Sequence, residues 1–168
     1  TRDEPSYDKL MTGRIEILNK HGLKLPDIQK VISRMEPLEG AAAFVETLRE
    51  KTQFLILSDT FEQFSRPLMR KLGWPTLFCN TLIANEAGEI TGYRLRQENG
   101  KKLAVEGLAM MGFTVSAAGD SYNDVAMLQT ASRGFFFRPP ENLPKQFPGI
   151  PVAQTYQELL DLLFPSKE

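Results

Sequence analysis

The chain has 168 residues, 42% of them hydrophobic and 24% charged, with a formal net charge of −1. That is enough apolar material for a domain-sized core, and the near balance of 20 basic and 21 acidic side chains excludes the basic field that draws a nucleic-acid backbone. A single cysteine, Cys79, excludes an intrachain disulfide, and no apolar run approaches the ~20 residues needed to cross a bilayer. The expectation is a soluble, cytoplasmic protein without a membrane or nucleic-acid partner; nothing in the pattern sets an oligomeric state.

In chain order, the first 35 or so residues read as helical. Ser6 is a candidate N-cap, and Tyr7, Leu10, Met11, Ile17 and Leu18 fall at helical spacing up to the stop at Gly22. Pro26 opens a second helix with Ile28, Val31, Ile32 and Met35 on one stripe. After Pro37, a third carries Ala41, Phe44, Val45 and Leu48. Strands and helices then alternate. Phe54 to Leu57 is a short, wholly apolar run, expected of a parallel strand covered on both faces. A helix from about Glu62 to Leu72 follows, with Thr60 as its expected cap and Pro67 either kinking it or falling in its first turn.

Leu77 to Ile83 and Ile90 to Leu95 flank Asn85-Glu86-Ala87-Gly88-Glu89 as a β-hairpin. Lys101 to Met111 is helical, Phe113 to Ala118 is a buried strand, and Val125, Met127 and Leu128 lie on the helix beyond it. Gly134 to Phe137 is a strand and Tyr156 to Phe164 the closing helix. The fold class is therefore α/β: a Rossmann-like, mostly parallel sheet with helices on both faces. Active sites in such sheets lie at the carboxyl ends of strands. Two such ends carry polar chemistry, Ser58-Asp59-Thr60 and Gly119-Asp120.

Asp120 and Asp124 span the second of these ends and the first turn of a helix. Two carboxylates at ~4 Å repel by roughly 4 kcal/mol at an effective dielectric of 20. Such a pair diverges, shares a proton or holds a cation, and oxygen-only ligands favour a hard one such as Mg²⁺. Asn123 adds an amide able to donate to a phosphate oxygen. The same spacing also fits an ordinary capped helix, with Asp120 or Ser121 as N-cap and Asp124 favourable to the dipole. Ser58 is placed either to bind a phosphoryl group or to cap a turn. Lys101, at a helix start where cations are unfavourable, is either anion-held or solvated beside Lys102. Arg14 is the one charge on its apolar stripe, as a snorkelling side chain or as a clamp for a carboxylate. His21, beside Gly22, is explained by helix capping.

Taken together, Ser58, Lys101 and Gly119 to Asp124 resemble the second, third and fourth motifs of the haloacid dehalogenase superfamily, and within it the phosphoserine phosphatase group. The resemblance runs through Ile56 to Phe61, Pro67 to Arg70, Gln97 and Gly119 to Asp124, and extends to the homoserine-phosphotransferase type. It implies Mg²⁺-dependent phosphoryl transfer from phosphoserine, with water or homoserine as acceptor. It implies Asp120 and Asp124 at the metal, Asp124 also supporting Lys101, and Ser58 and Asn123 on phosphate oxygens. Lys101 would neutralise nucleophile and phosphate charge, and Arg14 would meet the substrate carboxylate. Asp59 stands where common phosphoserine phosphatases have glycine, and it would bear on acceptor choice. Residues 1–36 would be an inserted helical cap and residues 37–168 the core.

The superfamily's first motif, a strand ending Asp-x-(Asp or Glu)-Gly with the nucleophile as its first acid, is absent from this sequence. Covalent catalysis needs that group. The expectation is roughly 30 further residues upstream, one strand and one helix at ordinary lengths, and no activity from the 168-residue chain alone. The alternatives are a relic domain that binds phosphate or a partner without catalysis, a phosphatase for another small metabolite, and a receiver-type signalling domain. The helical cap and the Asn123-Asp124 pair count against the last.

Overall fold

The computed structural model describes residues 7–165, so the candidate cap Ser6 lies outside the described residues. Packing divides the chain into two units, one running to Arg96 and one starting at Gln97.

The first unit contains α1 (Tyr7–Lys20), α2 (Leu25–Ile32), α3 (Ala41–Lys51), β1 (Leu55–Phe61), α4 (Glu62–Lys71), β2 (Thr76–Ala84) and β3 (Ile90–Arg94). Gly22 ends the first helical stretch with a φ of +65°, a conformation that side chains with a Cβ seldom adopt. Leu55 of β1 pairs with Thr76 of β2 in parallel, and β2 turns back antiparallel into β3. The hairpin forms where expected: Asn85 Oδ1 accepts from the Glu89 N–H at 2.9 Å, and Gly88 supplies the positive φ.

Met11, Phe61, Leu82 and Ile90 form the buried cluster of this unit, with Tyr7, Ile15, Leu18, Leu25 and Ile28 packed against it. Helical spacing therefore located the apolar face only in part. Ile17, Val31 and Met35 are at least half exposed, while Ile15 packs inward. β1 also differs from expectation. It runs on through Ser58 to Phe61, Leu55 to Leu57 are half-buried while Phe61 is buried, and it forms one edge of the sheet β1-β2-β3. Because the strand persists, the cap position of α4 falls to Phe61, without a side-chain cap, rather than to Thr60.

Pro67 sits inside α4, beyond its first turn. Having no N–H, it leaves the Gln63 carbonyl without the usual helix partner. Gln29 Nε2, from α2, donates to that oxygen at 3.2 Å.

The second unit contains α5 (Gly100–Met110), β4 (Ser116–Gly119), a 3₁₀ turn (Tyr122–Asp124), α6 (Val125–Thr130), β5 (Arg133–Phe137), α7 (Asn142–Gln146), β6 (Val152–Ala153) and α8 (Tyr156–Leu163). Its sheet has the order β4-β5-β6, all parallel, with β4 at an edge. β4 is shorter than the apolar run that suggested it: Phe113 is 51% exposed and precedes the strand. Phe136, Leu143 and Ala153 are fully buried. The parallel strands and intervening helices give the expected α/β class, but in two three-stranded sheets rather than one. No helix among the described residues is long and apolar enough to cross a membrane.

Candidate active site

In the second unit, β4 ends at Gly119 and the chain turns at once into the 3₁₀ segment that leads to α6. Asp124 is 5% exposed, and its carboxylate is surrounded by donors. Oδ1 accepts from Lys101 Nζ at 2.8 Å. Oδ2 accepts from the Asp120 N–H at 3.1 Å, the Ser121 N–H at 3.0 Å and the Ser121 hydroxyl at 2.8 Å. A carboxylate offers about four acceptor sites, two on each oxygen; three of the donors crowd onto Oδ2, and Oδ1 takes Lys101. Burial by itself would raise the Asp124 pKa. The hydrogen bond and charge of Lys101, joined by the O–H and N–H of Ser121, outweigh it and hold the carboxyl below its ordinary value.

Gly119 is what lets this carboxylate come so close. A Cβ there would lie 2.5 Å from Asp124 Cβ and 2.8 Å from Oδ2. The glycine thus serves approach rather than dihedral freedom. The capped-helix reading and the charged-site reading both find their residues here: Ser121 and Asp124 form a capping box, and Asp124 also holds a lysine half a turn into a different helix. Asp120 and Asn123 are exposed at the same turn. Among the described residues no three His, Cys, Asp or Glu side chains converge as a ready metal cluster. An exposed Asp120 carboxylate fits a hard cation as one oxygen ligand of several.

In the first unit, Ser58 Oγ accepts from the Thr60 N–H at 3.2 Å and is half-buried at the turn in β1. Asp59 is exposed, and its carbonyl accepts from Asn80 Nδ2 at 3.2 Å. Asn80 is 7% exposed in the middle of β2, and its Oδ1 accepts from the Arg96 N–H at 3.0 Å. The Asn80 side chain also lies close enough to Tyr7, on α1, to act on its hydroxyl. Burial, then the negative charge of Asp59, raise the Tyr7 pKa; the Asn80 hydrogen bond and the positive charge of Arg14 oppose them. Arg14, Asp59 and Asn80 thus all act electrostatically on the polar end of Tyr7 in this unit. The Tyr7 ring packs edge-on against Tyr93, with centroids 5.7 Å apart.

A shallow groove of about 560 Å³ lies along α1 and β3, lined by Asp8, Glu16 and Tyr93 among others. It holds none of the residues singled out in the sequence. Asp8 accepts from the Tyr93 hydroxyl and pushes its pKa up to about 12. Among the described residues, two carboxylates and no cation line this groove, which disfavours a phosphate ester.

No family model matches the chain. Individual proteins do. It is 51% identical over 159 residues to phosphoserine phosphatase ThrH of Pseudomonas aeruginosa, an alignment covering 95% of this chain and 78% of that protein. It is equally 51% identical over 159 residues to a phosphoserine phosphatase of Pseudomonas syringae, covering 67% of that protein. The chain belongs to the phosphoserine phosphatase family. A solved phospho-aspartyl intermediate analogue of a phosphoserine phosphatase superposes with a TM-score of 0.69 at 25% identity, over 83% of this chain and 70% of that one. Membership in this family agrees with the phosphoserine phosphatase resemblance carried by Ser58, Lys101 and Gly119 to Asp124.

Tyr7 and Asn80 escaped the sequence reading. Tyr7 was counted in an apolar stripe, which its ring satisfies while its hydroxyl does not. Asn80 interrupts the apolar run Leu77-Phe78-Cys79. An amide in a buried strand needs partners, and that is the signal that would have found it.

Proposed function

We propose that this chain carries the phosphate- and substrate-handling part of a Mg²⁺-dependent phosphoserine phosphatase. The observation that carries the reading is the buried Lys101–Asp124 pair at the carboxyl end of β4. A lysine held by a buried, hydrogen-bonded carboxylate is a fixed positive charge, suited to the oxygens of a phosphoryl group and to a neighbouring acid. The 51% identity to proteins named phosphoserine phosphatase supports the substrate.

Each role is assigned within its own unit. In the second, Asp120 is the carboxylate that would hold Mg²⁺, and Asn123 donates to phosphate. Bound there, the ion would neutralise phosphate charge. Asp124 would support Lys101 and the metal shell together, its Oδ1 holding Nζ at 2.8 Å. In the first unit, Ser58 keeps its O–H for a phosphate oxygen while its lone pair takes the Thr60 N–H. Arg14 meets the substrate carboxylate, and helices α1 and α2 serve as the cap. The nucleophile, an aspartate that passes through an aspartyl-phosphate, would come from chain upstream of residue 1. Its strand would pair with a sheet edge such as β1 or β4. Asp59, exposed beside Ser58, is the feature that would admit homoserine as acceptor in place of water.

The test is phosphate release by the upstream-extended protein from a panel of phosphorylated metabolites, with and without Mg²⁺ and with homoserine added. We expect phosphoserine to be preferred and chelation to abolish turnover. Preference for a different ester overturns the substrate. No release from any ester, with phosphate still bound, favours the relic domain.

A further inference from the structure

The turn that carries Asp120 and Asn123 is tied down by Asp124 only in part. The Asp124 carboxylate accepts from the N–H groups of Asp120 and Ser121 and from the Ser121 hydroxyl. None of these bonds reaches Tyr122 or Asn123, the two residues in between. Tyr122 carries a second tie. Its hydroxyl oxygen accepts from Asn142 Nδ2 at 3.2 Å and from Gln146 Nε2 at 2.6 Å. The two amides stand four residues apart on α7, the spacing that puts side chains on one helix face. A phenol oxygen accepts as well as donates, and two donors from different points of α7 fix it more closely than one.

Neither α7 nor the tyrosine ring accounts for these bonds by its own needs. With five residues, α7 is too short to persist as an isolated helix, and Leu143, fully buried, anchors it to the core. The Tyr122 ring remains 40% exposed, so its placement answers to more than burial. What the two bonds do is fasten the turn to an element that the core already fixes. A turn that presents a cation ligand and a phosphate donor side by side gains from such a fastening. Groups held in place beforehand lose less freedom when the ligand arrives.

We propose that Tyr122 is a positioning residue: through Asn142 and Gln146 it fastens the turn to α7, and so holds Asp120 and Asn123 in the arrangement that receives Mg²⁺ and phosphate. The inference rests on the phosphatase reading and deepens it by extending that site to α7. Tyr122 acts through the backbone it shares with its neighbours, so its loss weakens the site without removing a ligand.

The experiment uses the upstream-extended protein, first free of metal. Backbone amide exchange is followed at Asp120 and Ser121, whose N–H groups bond to Asp124, and at Leu159 of α8 as a reference. Tyr122→Phe keeps the ring and removes the oxygen that both amides share. We expect exchange at Asp120 and Ser121 to quicken roughly 3- to 10-fold, the equivalent of one ordinary hydrogen bond, with no change at Leu159. Mg²⁺ affinity, titrated by calorimetry, should fall by a similar factor, while kcat for O-phosphoserine at saturating Mg²⁺ stays close to wild type. Replacing both amides, Asn142→Ala with Gln146→Ala, should reproduce these effects, and Tyr122→Phe added to that pair should contribute little more. If the amide pair does not fold, Tyr122→Phe decides alone. Unchanged exchange at Asp120 and Ser121, an equal rise at Leu159, or unaltered Mg²⁺ affinity overturns the inference and leaves the phosphatase reading intact. A wild-type protein that binds no Mg²⁺ and releases no phosphate from phosphoserine overturns the reading, and the inference with it.

Discussion

The two polar sites are built on opposite plans. Around Asp124, both carboxylate oxygens accept, one from a lysine and the other from its close chain neighbours Asp120 and Ser121, and the group is buried. Around Asp59, the group is exposed, and its surroundings are drawn from α1, β1, β2 and the end of β3. The first arrangement suits a part that must hold one charge in one place. The second is open to solvent, and under the proposed function it is the part that meets the substrate.

That contrast breaks most readily at its buried end. Asp124→Ala leaves Lys101 and three donors without their acceptor, and loss of one partner of a buried pair costs about 3–5 kcal/mol. Chemical denaturation of the variant should show a loss of that order. A loss below about 1 kcal/mol would mean that water replaces the carboxylate, and that the site is not closed. The pair also sets an acid limit. The Asp124 pKa is lower in the folded chain than the ordinary 3.8, so its contribution is fully present above that value and is lost as pH falls through the folded one. Lys101→Met should shrink this acid-dependent part of the stability, measured as unfolding free energy between about pH 5 and pH 2.

The glycines come next in size. Alanine at Gly119 puts a methyl within 2.5 Å of Asp124 Cβ, and at Gly134 within 2.2 Å of the Leu128 carbonyl oxygen. Neither neighbour is the loose end of a side chain, so each variant should lose about 1–3 kcal/mol. Gly119→Ala should also reduce turnover by displacing the acid behind Lys101, whereas Gly134→Ala should act on stability alone. Equal effects on turnover, at matched stability, would remove the special status given to the turn. The smallest expected effect lies in the first unit. Gln29→Ala strands the Gln63 carbonyl that Pro67 leaves open, at a cost of about 1 kcal/mol in thermal or denaturant unfolding. In a Pro67→Ala background the same change should cost less, because the helix regains its own donor.

How much could be read from the sequence follows the same division. Gly119, Asp120, Ser121 and Asp124 lie within one short segment, so their spacing carried the information, and only Lys101 had to be brought in from elsewhere. The strands and the long helices were legible for the same reason, since their signal is a local period. Helix α7 and strand β6, of five and two residues, are too short to show one. The end of β1 was misjudged because its register irregularity past Leu57 depends on β2, not on its own residues. Tyr7 and Asn80 lie far apart in sequence and meet only through tertiary packing. Each looked like an ordinary member of its element until the partner was known.

The central claim is that this chain holds the charge and the substrate contacts of a phosphoserine phosphatase while the nucleophile lies upstream. The direct measurement is phosphate release from phosphoserine in Mg²⁺ by the 168-residue chain and by the upstream-extended protein, side by side. The account predicts release from the extended protein only. Turnover by the 168-residue chain, or none by an extended protein that carries an Asp-x-(Asp or Glu)-Gly strand end, would contradict it.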